Sequence, residues 1–405
     1  MSEQTGFGPL GPPTRERGLS IMSHFADRMG EQYARNRGFD LGANDRENVS
    51  LLSPFLRRRL VLESEVAQTA LRRHGPGVAA KFVQEVVWRT YWKGWLEQRP
   101  SVWTDYLDEL RTERSKLERY RDARAAHDAA VEGRTGNEAF DHWARELVEH
   151  GYLHNHARMW FASIWIFTLK LPWALGADFF HRHLLDGDPA SNTLSWRWVA
   201  GRQTLGKTYL ATSSNIETFT KGRFRLVPDA LAAKADRVDT VQVVDPSPLP
   251  KFPEPSPVPS LLLVTEDDCF PEDYVWPELV AAALVRTRPA QSGSGAAASV
   301  MEYEEAALED TARRLAAIAP NARVVAPDEL PHVARECGAL QIVGPYIPVG
   351  TAADALREPL ARTGLPYRPR VREWDRRFWP HATKGYFKLK KQTPKLLERL
   401  VDEAA

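Results

Sequence analysis

Seven of the fourteen residues from position 246 to position 259 are proline, in the run VDPSPLPKFPEPSPVP. Proline lacks a backbone N–H and fixes φ, so this run supports neither a helix nor a central strand and reads as a semi-rigid linker. It separates two stretches with different hydrophobic periods. Before it, residues 21–225 place apolar side chains at three- and four-residue spacing with few β-branched runs, which predicts a large all-helical domain. After it, SLLLVT, ARVVA and ALQIVG read as strands, alternating with the helical patterns EYEEAALEDTARRLAAI and LPHVAREC. That alternation predicts a doubly wound, Rossmann-like α/β domain over 260–405 with a mainly parallel sheet. The expected organisation is multidomain: a flexible tail over 1–20, the helical domain over 21–225, the linker over 226–259, and the α/β domain. Ligands of such sheets sit at the carboxyl ends of strands, around Thr265, Glu266, Asp267, Ala326, Pro327, Gly344 and Pro345. Neither a GxGxxG fingerprint nor a phosphate-binding P-loop occurs over residues 260–405.

The net charge of +1 creates no global field for a polyanion, so nucleic acid would have to meet a local basic patch. Arg197, Arg202, Lys207, Lys221, Arg223 and Arg225, against the single acid Glu217, form one candidate; a solvated helix face explains the run as well. Cys269 and Cys337 stand far apart, which fits a reducing cytoplasm and argues against a disulfide framework or a cysteine-held cluster. Residues 1–20 lack the apolar core of a signal peptide, and the apolar run from Met159 to Leu169 is too short to span a bilayer. A soluble, cytoplasmic monomer without membrane contact is expected.

The densest chemistry lies in DGDPASNTLSWRW, from Asp186 to Trp198. Gly187 and Pro189 disfavour a helix interior, so Asp186 and Asp188 are expected on a turn, with a helix resuming near Trp196. The acids and Asn192 are able to face a ligand rich in N–H groups, or simply to cap the next helix while the indoles fill core. Ser50, Ser53 and Pro54 in NVSLLSPFLRRRL mark a helix start suited to an anion or to plain capping. In KFVQEVVWRTYWKGW, predicted helical from Gly77, Glu85 and Arg89 share a face near Trp88. They read either as a solvent-facing ion pair or as a carboxylate at the mouth of an aromatic pocket. In HGYLHNHARMWFASIWIF, Asn155, Arg158 and Met159 share a face, and His154 and His156 have the wrong spacing for a helical zinc pair. Trp160, Trp165 and Trp173 add indoles that serve as core or as an oxidisable relay. The closing segment WDRRFWPHATKGYFKLKKQTPKLLERL is aromatic and basic, suited to docking on the helical domain or to touching phosphate.

The order SLLSPFL, QEVVWRTYW, EGRTGNEAFDHWARELVEHGYLHNHARM and WALGADFFHRHLLDGDPASNTLSWRWVAG resembles the FAD-binding helical domain of the photolyase and cryptochrome family, over about residues 30–225. The resemblance implies that Ser50, Leu52 and Ser53 hold the FAD phosphates, and that Arg158 and Asp186 pair beside the isoalloxazine. It further implies that Asp188 meets the pyrimidine edge and Asn192 faces N5. Glu85, Trp88, Asn155, Met159 and Trp198 match positions lining the lesion pocket. Trp196 and Trp173 match the inner photoreduction relay, with Tyr120 near the outer member, and Arg202 and Lys207 belong to the basic run expected to meet DNA. The absence of His at 155 and 159 favours the cyclobutane-dimer type. The implied activity is blue-light-driven repair of pyrimidine dimers in DNA, with a cryptochrome-like light sensor as the alternative. Val49 and Phe82 depart from the family pattern, and the helical domain precedes the α/β domain instead of following it. The α/β domain therefore resembles a permuted antenna domain, with a possible antenna chromophore.

Overall fold

The computed structural model describes residues 7–204, 207–236, 244–288 and 295–402. Among them, helices α1 (Arg15–Phe25), α2 (Glu31–Asn36), α3 (Ser53–Arg57), α4 (Glu63–Glu97), α5 (Ser101–Arg119), α6 (Arg121–Val131), α7 (Glu138–His150), α8 (Asn155–Ser163), α9 (Trp173–His183), α10 (Pro189–Val199) and α11 (Ser213–Phe219) precede the sheet. Strands β1 (Ser260–Thr265) and β2 (Leu279–Val285) follow, then α12 (Ala298–Leu315), β3 (Arg323–Val325), α13 (Leu330–Glu336), β4 (Gln341–Pro345), α14 (Thr351–Thr363), β5 (Tyr367–Arg370), α15 (Glu373–Phe378) and α16 (Tyr386–Asp402). Two compact units emerge, both discontinuous. The first takes the described residues of Met1–Gly30, Leu51–Gln98 and Pro246–Ala405; the second takes Glu31–Ser50 and Arg99–Asp245. One boundary falls at Asp245/Pro246, where the proline run begins; the others lie inside the segment expected as one helical domain, because α1, α3 and α4 cluster with the sheet.

In the first unit the sheet has the order β3-β2-β1-β4-β5, with every pair parallel. Leu261, Leu263, Ala283 and Ile342 form one of its faces with Leu330, Val333 and Leu356 from the crossover helices. Residues 15–20, expected as tail, are the first turns of α1. Thr14 caps that helix by accepting from Arg17 N at 3.1 Å, and Arg15 binds Glu65 at 2.6 Å, which anchors it. α4 breaks at Gly75, whose φ of 74° is followed by Pro76, so the helix expected from Gly77 is its second segment. Phe82, where the family pattern has a pocket Trp, is core and meets Phe25 at 6.0 Å.

The proline run is bound along this unit: Ser247 N donates to Gln98 O at 2.8 Å, and Gln341 Nε2 donates to Ser256 O at 2.7 Å. The closing segment docks on α4, as one of its two expected roles required. Trp374 Nε1 donates to Thr90 Oγ1 at 2.8 Å, Tyr386 OH to Gln84 O at 3.1 Å, and Tyr91 OH to Lys384 O at 3.0 Å. Gly94 permits the approach, since a Cβ there would lie 2.6 Å from Trp379 Cδ1.

The carboxyl ends of β1 and β4, expected to surround a ligand, meet side chains of the chain itself. Arg57 pairs with Asp267, Arg58 with Glu304 at 3.1 Å, and Arg59 with Asp375 at 2.6 Å and Asp268 at 3.4 Å. Beside them Glu97, 5% exposed, accepts from Tyr346 OH at 2.7 Å and Val349 N at 2.6 Å. Burial pushes its pKa from 4.5 to about 7. An acid whose folded pKa is raised stabilises the fold below its unfolded value and loses that contribution as pH rises through the folded value. Stability is therefore expected to fall by about 3 kcal/mol between roughly pH 4.5 and 7 through this group. Glu97→Gln keeps an acceptor for Val349 N and should flatten that part of the stability–pH curve, read by denaturant unfolding; an unchanged slope refutes the assignment.

The second unit packs α2 and α5–α11 around aromatic side chains. Phe140 stacks on Phe161 at 4.2 Å, Phe180 meets Phe161 at 5.0 Å, and Trp143 stacks on Trp160 at 5.4 Å. Trp143 Nε1 donates to the buried Asp40 at 3.0 Å, which satisfies the polar tip of an otherwise apolar group.

Candidate functional site

The site of the second unit begins where α8 starts. His154 caps the helix by accepting His156 N at 3.2 Å, and burial lowers its pKa to about 4, so the ring is neutral at physiological pH. One turn on, Arg158 donates Nε to Leu153 O and an Nη to Asp186 Oδ2, both at 2.9 Å. Burial pulls the guanidinium pKa down, but the Asp186 carboxylate outweighs it, so the pKa is raised and the cation is fixed. The Asp186 side chain is 4% exposed and that of Arg158 24%, so the pair presents its positive half.

Asp188 corrects one expectation. A helix was expected to resume near Trp196, whereas α10 starts at Pro189. Asp188 Oδ1 accepts from Ser191 N at 2.8 Å and Pro189 takes the first helical position, where its missing N–H costs nothing. The helix therefore carries Asn192, Trp196 and Trp198 at fixed spacing. Asn192 Nδ2 donates to Ala177 O of α9 at 2.7 Å, which orients Oδ1 as the acceptor end. The hydroxyls of Ser191 and Thr193 beside it are buried with no hydrogen-bond partner among the described residues. A fixed cation on α8, an oriented acceptor on α10 and buried hydroxyls without partners among the described residues are the group types that the N–H and C=O edge of a flavin ring would require.

Trp196 is buried, edge-on to Phe180 at 5.0 Å and Trp165 at 6.2 Å. Its ring lies on the backbone of α9 at Gly176, where a Cβ would come within 2.3 Å of it. Trp173 is one turn away on the same helix, so α9 brings the two relay candidates together. Trp173 donates Nε1 to Glu109 at 2.8 Å and lies 5.5 Å from Tyr106. Tyr120, the outer candidate, is 61% exposed at the end of α5. Sequence reading passed over Tyr106, which with Trp103 and Leu110 forms the buried stripe of α5. Arg202 spends its charge on Glu109 at 3.0 Å and on the Trp173 face at 5.6 Å, while Lys207 is exposed. Trp198 is half-buried and stacks on Tyr209 at 5.7 Å; Asn155 is exposed with Nδ2 3.9 Å from the Met159 sulfur.

Ser50 precedes Leu51, a non-glycine residue at φ 55°, which turns the chain into Leu52 and the start of α3 at Ser53. Ser50 belongs to the second unit and Leu52 and Ser53 to the first, together with Glu85 and Trp88. On α4 the Trp88 ring is covered: Tyr386 of α16 stacks on it with centroids 3.5 Å apart and planes at 12°. Burial raises the Tyr386 pKa, and the Glu85 carboxylate adds to it.

Residues 82–222 match the family model for the FAD binding domain of DNA photolyase. Deoxyribodipyrimidine photo-lyase of Streptomyces griseus is 37% identical over 156 residues, 38% of this chain and 32% of that protein. The protein of the same name from Agrobacterium fabrum is 31% identical over 202 residues, 48% of this chain and 40% of that one. A crystal structure of a bacterial class III photolyase from Agrobacterium tumefaciens aligns with a TM-score of 0.43 at 28% identity, covering 51% of this chain and 43% of that one. The chain spans less than half the length of these relatives. No helix among the described residues is long and apolar enough to cross a membrane.

Proposed function

We propose, from the match of residues 82–222 to the FAD binding domain of DNA photolyase, that this chain is an FAD flavoprotein acting as a light-driven lyase on cyclobutane pyrimidine dimers in DNA. The observation that carries the cofactor assignment is the Arg158–Asp186 pair with its positive half presented, taken together with the oriented acceptor of Asn192. When bound, FAD supplies a photoexcitable one-electron donor. Arg158 balances negative charge on the ring, Asp186 holds the guanidinium in place, Asn192 Oδ1 accepts an N–H, and Asp188 fixes the start of α10. Ser50, Leu52 and Ser53 are assigned to the phosphates. Glu85, with Trp88, Asn155, Met159 and Trp198, is assigned to the extruded bases, where a carboxyl group steadies charge arriving on a pyrimidine. Trp196 and Trp173 are assigned to electron delivery, with the exposed Tyr120 as the outer donor and the buried Tyr106 a further aromatic ring 5.5 Å from Trp173. An antenna pigment would need a place other than the β1 carboxyl end, which Arg57, Arg58 and Arg59 fill.

One observation favours the second reading, a cryptochrome-like light sensor: the Trp88 face on which a lesion would stack is already occupied by Tyr386.

The deciding experiment is a visible spectrum of the purified protein, followed by repair of a dimer-containing oligonucleotide, single- and double-stranded, under blue light with reductant. Absence of flavin refutes the whole reading. Flavin without repair of either substrate moves the assignment to the sensor. Trp196→Phe should slow photoreduction of the bound flavin at least tenfold by absorbance, and unchanged kinetics remove Trp196 from the relay.

A further inference from the structure

α16 has two faces. Tyr386, Leu389, Thr393, Leu396 and Leu397 are buried at helical spacing. The opposite side carries Lys388, Lys390, Lys391 and Lys395, all exposed, with Lys384 just before the helix. Among the described residues none of these five lysines has an ion pair. Several other exposed helix cations are matched at three or four residues: Arg35 with Glu31 at 2.8 Å, Lys116 with Glu113 at 2.7 Å and Arg357 with Asp354 at 2.8 Å. From Lys384 to Lys395 the same spacing repeats like charge, and the first acid of the helix, Glu398, comes three residues beyond Lys395. The Lys388 amino group is held below its ordinary pKa, first by the charge of Lys384 and also by that of Lys391. Phe387 projects from this cationic field at 73% exposure, three and four residues from Lys390 and Lys391. Unpaired like charges and an exposed phenyl each work against the folded state in isolation, so a surface that keeps both is complementary to something absent.

We propose that the outer face of α16 is a binding surface for single-stranded nucleic acid, with the lysines on successive phosphates and a base stacked on Phe387. The stripe from Lys388 to Lys395 spans roughly 10 Å at 1.5 Å per residue, enough to follow more than one phosphate. A membrane-surface helix needs a broad apolar face to bury, and here that face is already spent on the protein core, which leaves one aromatic tip. One ring among cations is the arrangement that holds an unpaired base. The surface is independent of the flavin assignment: it requires no dimer, no light and no cofactor.

The test uses the full chain in the dark and an undamaged fluorescent 16-mer oligo(dT), titrated across a range of salt. The wild-type chain is expected to bind with a steep salt dependence. Lys388→Glu with Lys391→Glu should weaken binding at least tenfold and reduce the log–log salt slope by about 1.4, near 0.7 for each lost phosphate contact. Phe387→Ala should weaken binding about fivefold or more, with the slope unchanged, because stacking releases no counterions. These positions are exposed, and an unchanged unfolding midpoint confirms that each variant is folded. Unchanged oligo(dT) affinity in the double variant overturns the proposal, and so does tighter wild-type binding to phosphatidylserine vesicles than to the oligonucleotide. Flavin content is read on the same samples: a flavin-free protein that binds oligo(dT) through α16 refutes the photochemical reading and leaves this surface standing.

Discussion

Arg59→Ala is expected to destabilise the first unit by about 3–5 kcal/mol and to lower its melting temperature by about 10 °C. Arg59 is 4% exposed and sits among Asp375 at 2.6 Å, Asp268 at 3.4 Å and Glu63 at 3.4 Å. Removing it strands carboxylates that water cannot reach, and that penalty exceeds anything the ion pairs contribute while intact. The backbone adds to the case, for Arg59 stands at φ 50°, a conformation held only because the surrounding acids over-determine it. Arg59→Lys should recover part of the loss, since one ammonium cannot serve three acids in the geometry of a guanidinium.

The pH dependence of the loss identifies its cause. In the intact chain burial raises the Asp375 pKa against the pull of Arg59, whereas Arg372 and Arg59 hold that of Asp268 below its ordinary value despite its burial. Without Arg59 both carboxyls bind protons more readily in the folded state. A raised folded pKa gives stability that is present at low pH and lost on the way up, so the deficit of Arg59→Ala should shrink as pH falls from 7 towards 5. A deficit constant over that range would point to lost packing instead of stranded charge.

What could be read from the sequence divides along physical lines. SLLLVT and ALQIVG were legible as strands because β-branched and leucine side chains fill both faces of a buried strand. β2, LVAAALV, was missed because three alanines carry no strand preference and its position beside β1 is a tertiary fact. β5, YRPR, contains a proline tolerated only because it lies at the sheet edge, which no local pattern announces. The start of α10 was placed seven residues late because Gly187 and Pro189 were weighed as helix breakers; Asp before Pro is also a strong start signal. Of the candidate site, the Arg158–Asp186 pair and the fixed Asn192 were legible through ordered motifs. The Tyr386 ring over Trp88 was not, since the two residues are far apart in sequence and only the folding of α16 onto α4 joins them. The same contact leaves the expected helical and α/β segments sharing one compact unit.

Asp186→Ala should abolish flavin retention through dialysis. Asp186 is buried, and its Oδ2 is what holds an Arg158 Nη at 2.9 Å. Without the carboxylate the guanidinium keeps the Leu153 carbonyl and the Tyr152 ring face at 5.3 Å but loses its counter-ion, so the cation assigned to the flavin is no longer held in register. At least a hundredfold weaker FAD binding is expected from losing a charge-assisted partner in a dry site together with the orientation it enforces. Asp186→Asn separates the two contributions. The amide oxygen still accepts from Arg158, so orientation survives while the charge is lost, and retention should fall between wild type and Asp186→Ala. Thermal unfolding of the flavin-free forms gives a second reading: Asp186→Ala should melt below wild type even without FAD, because Arg158 then lacks its counter-ion. If the alanine variant keeps its flavin as wild type does, Arg158 and Asp186 are a structural ion pair, and the cofactor assignment in the second unit is wrong.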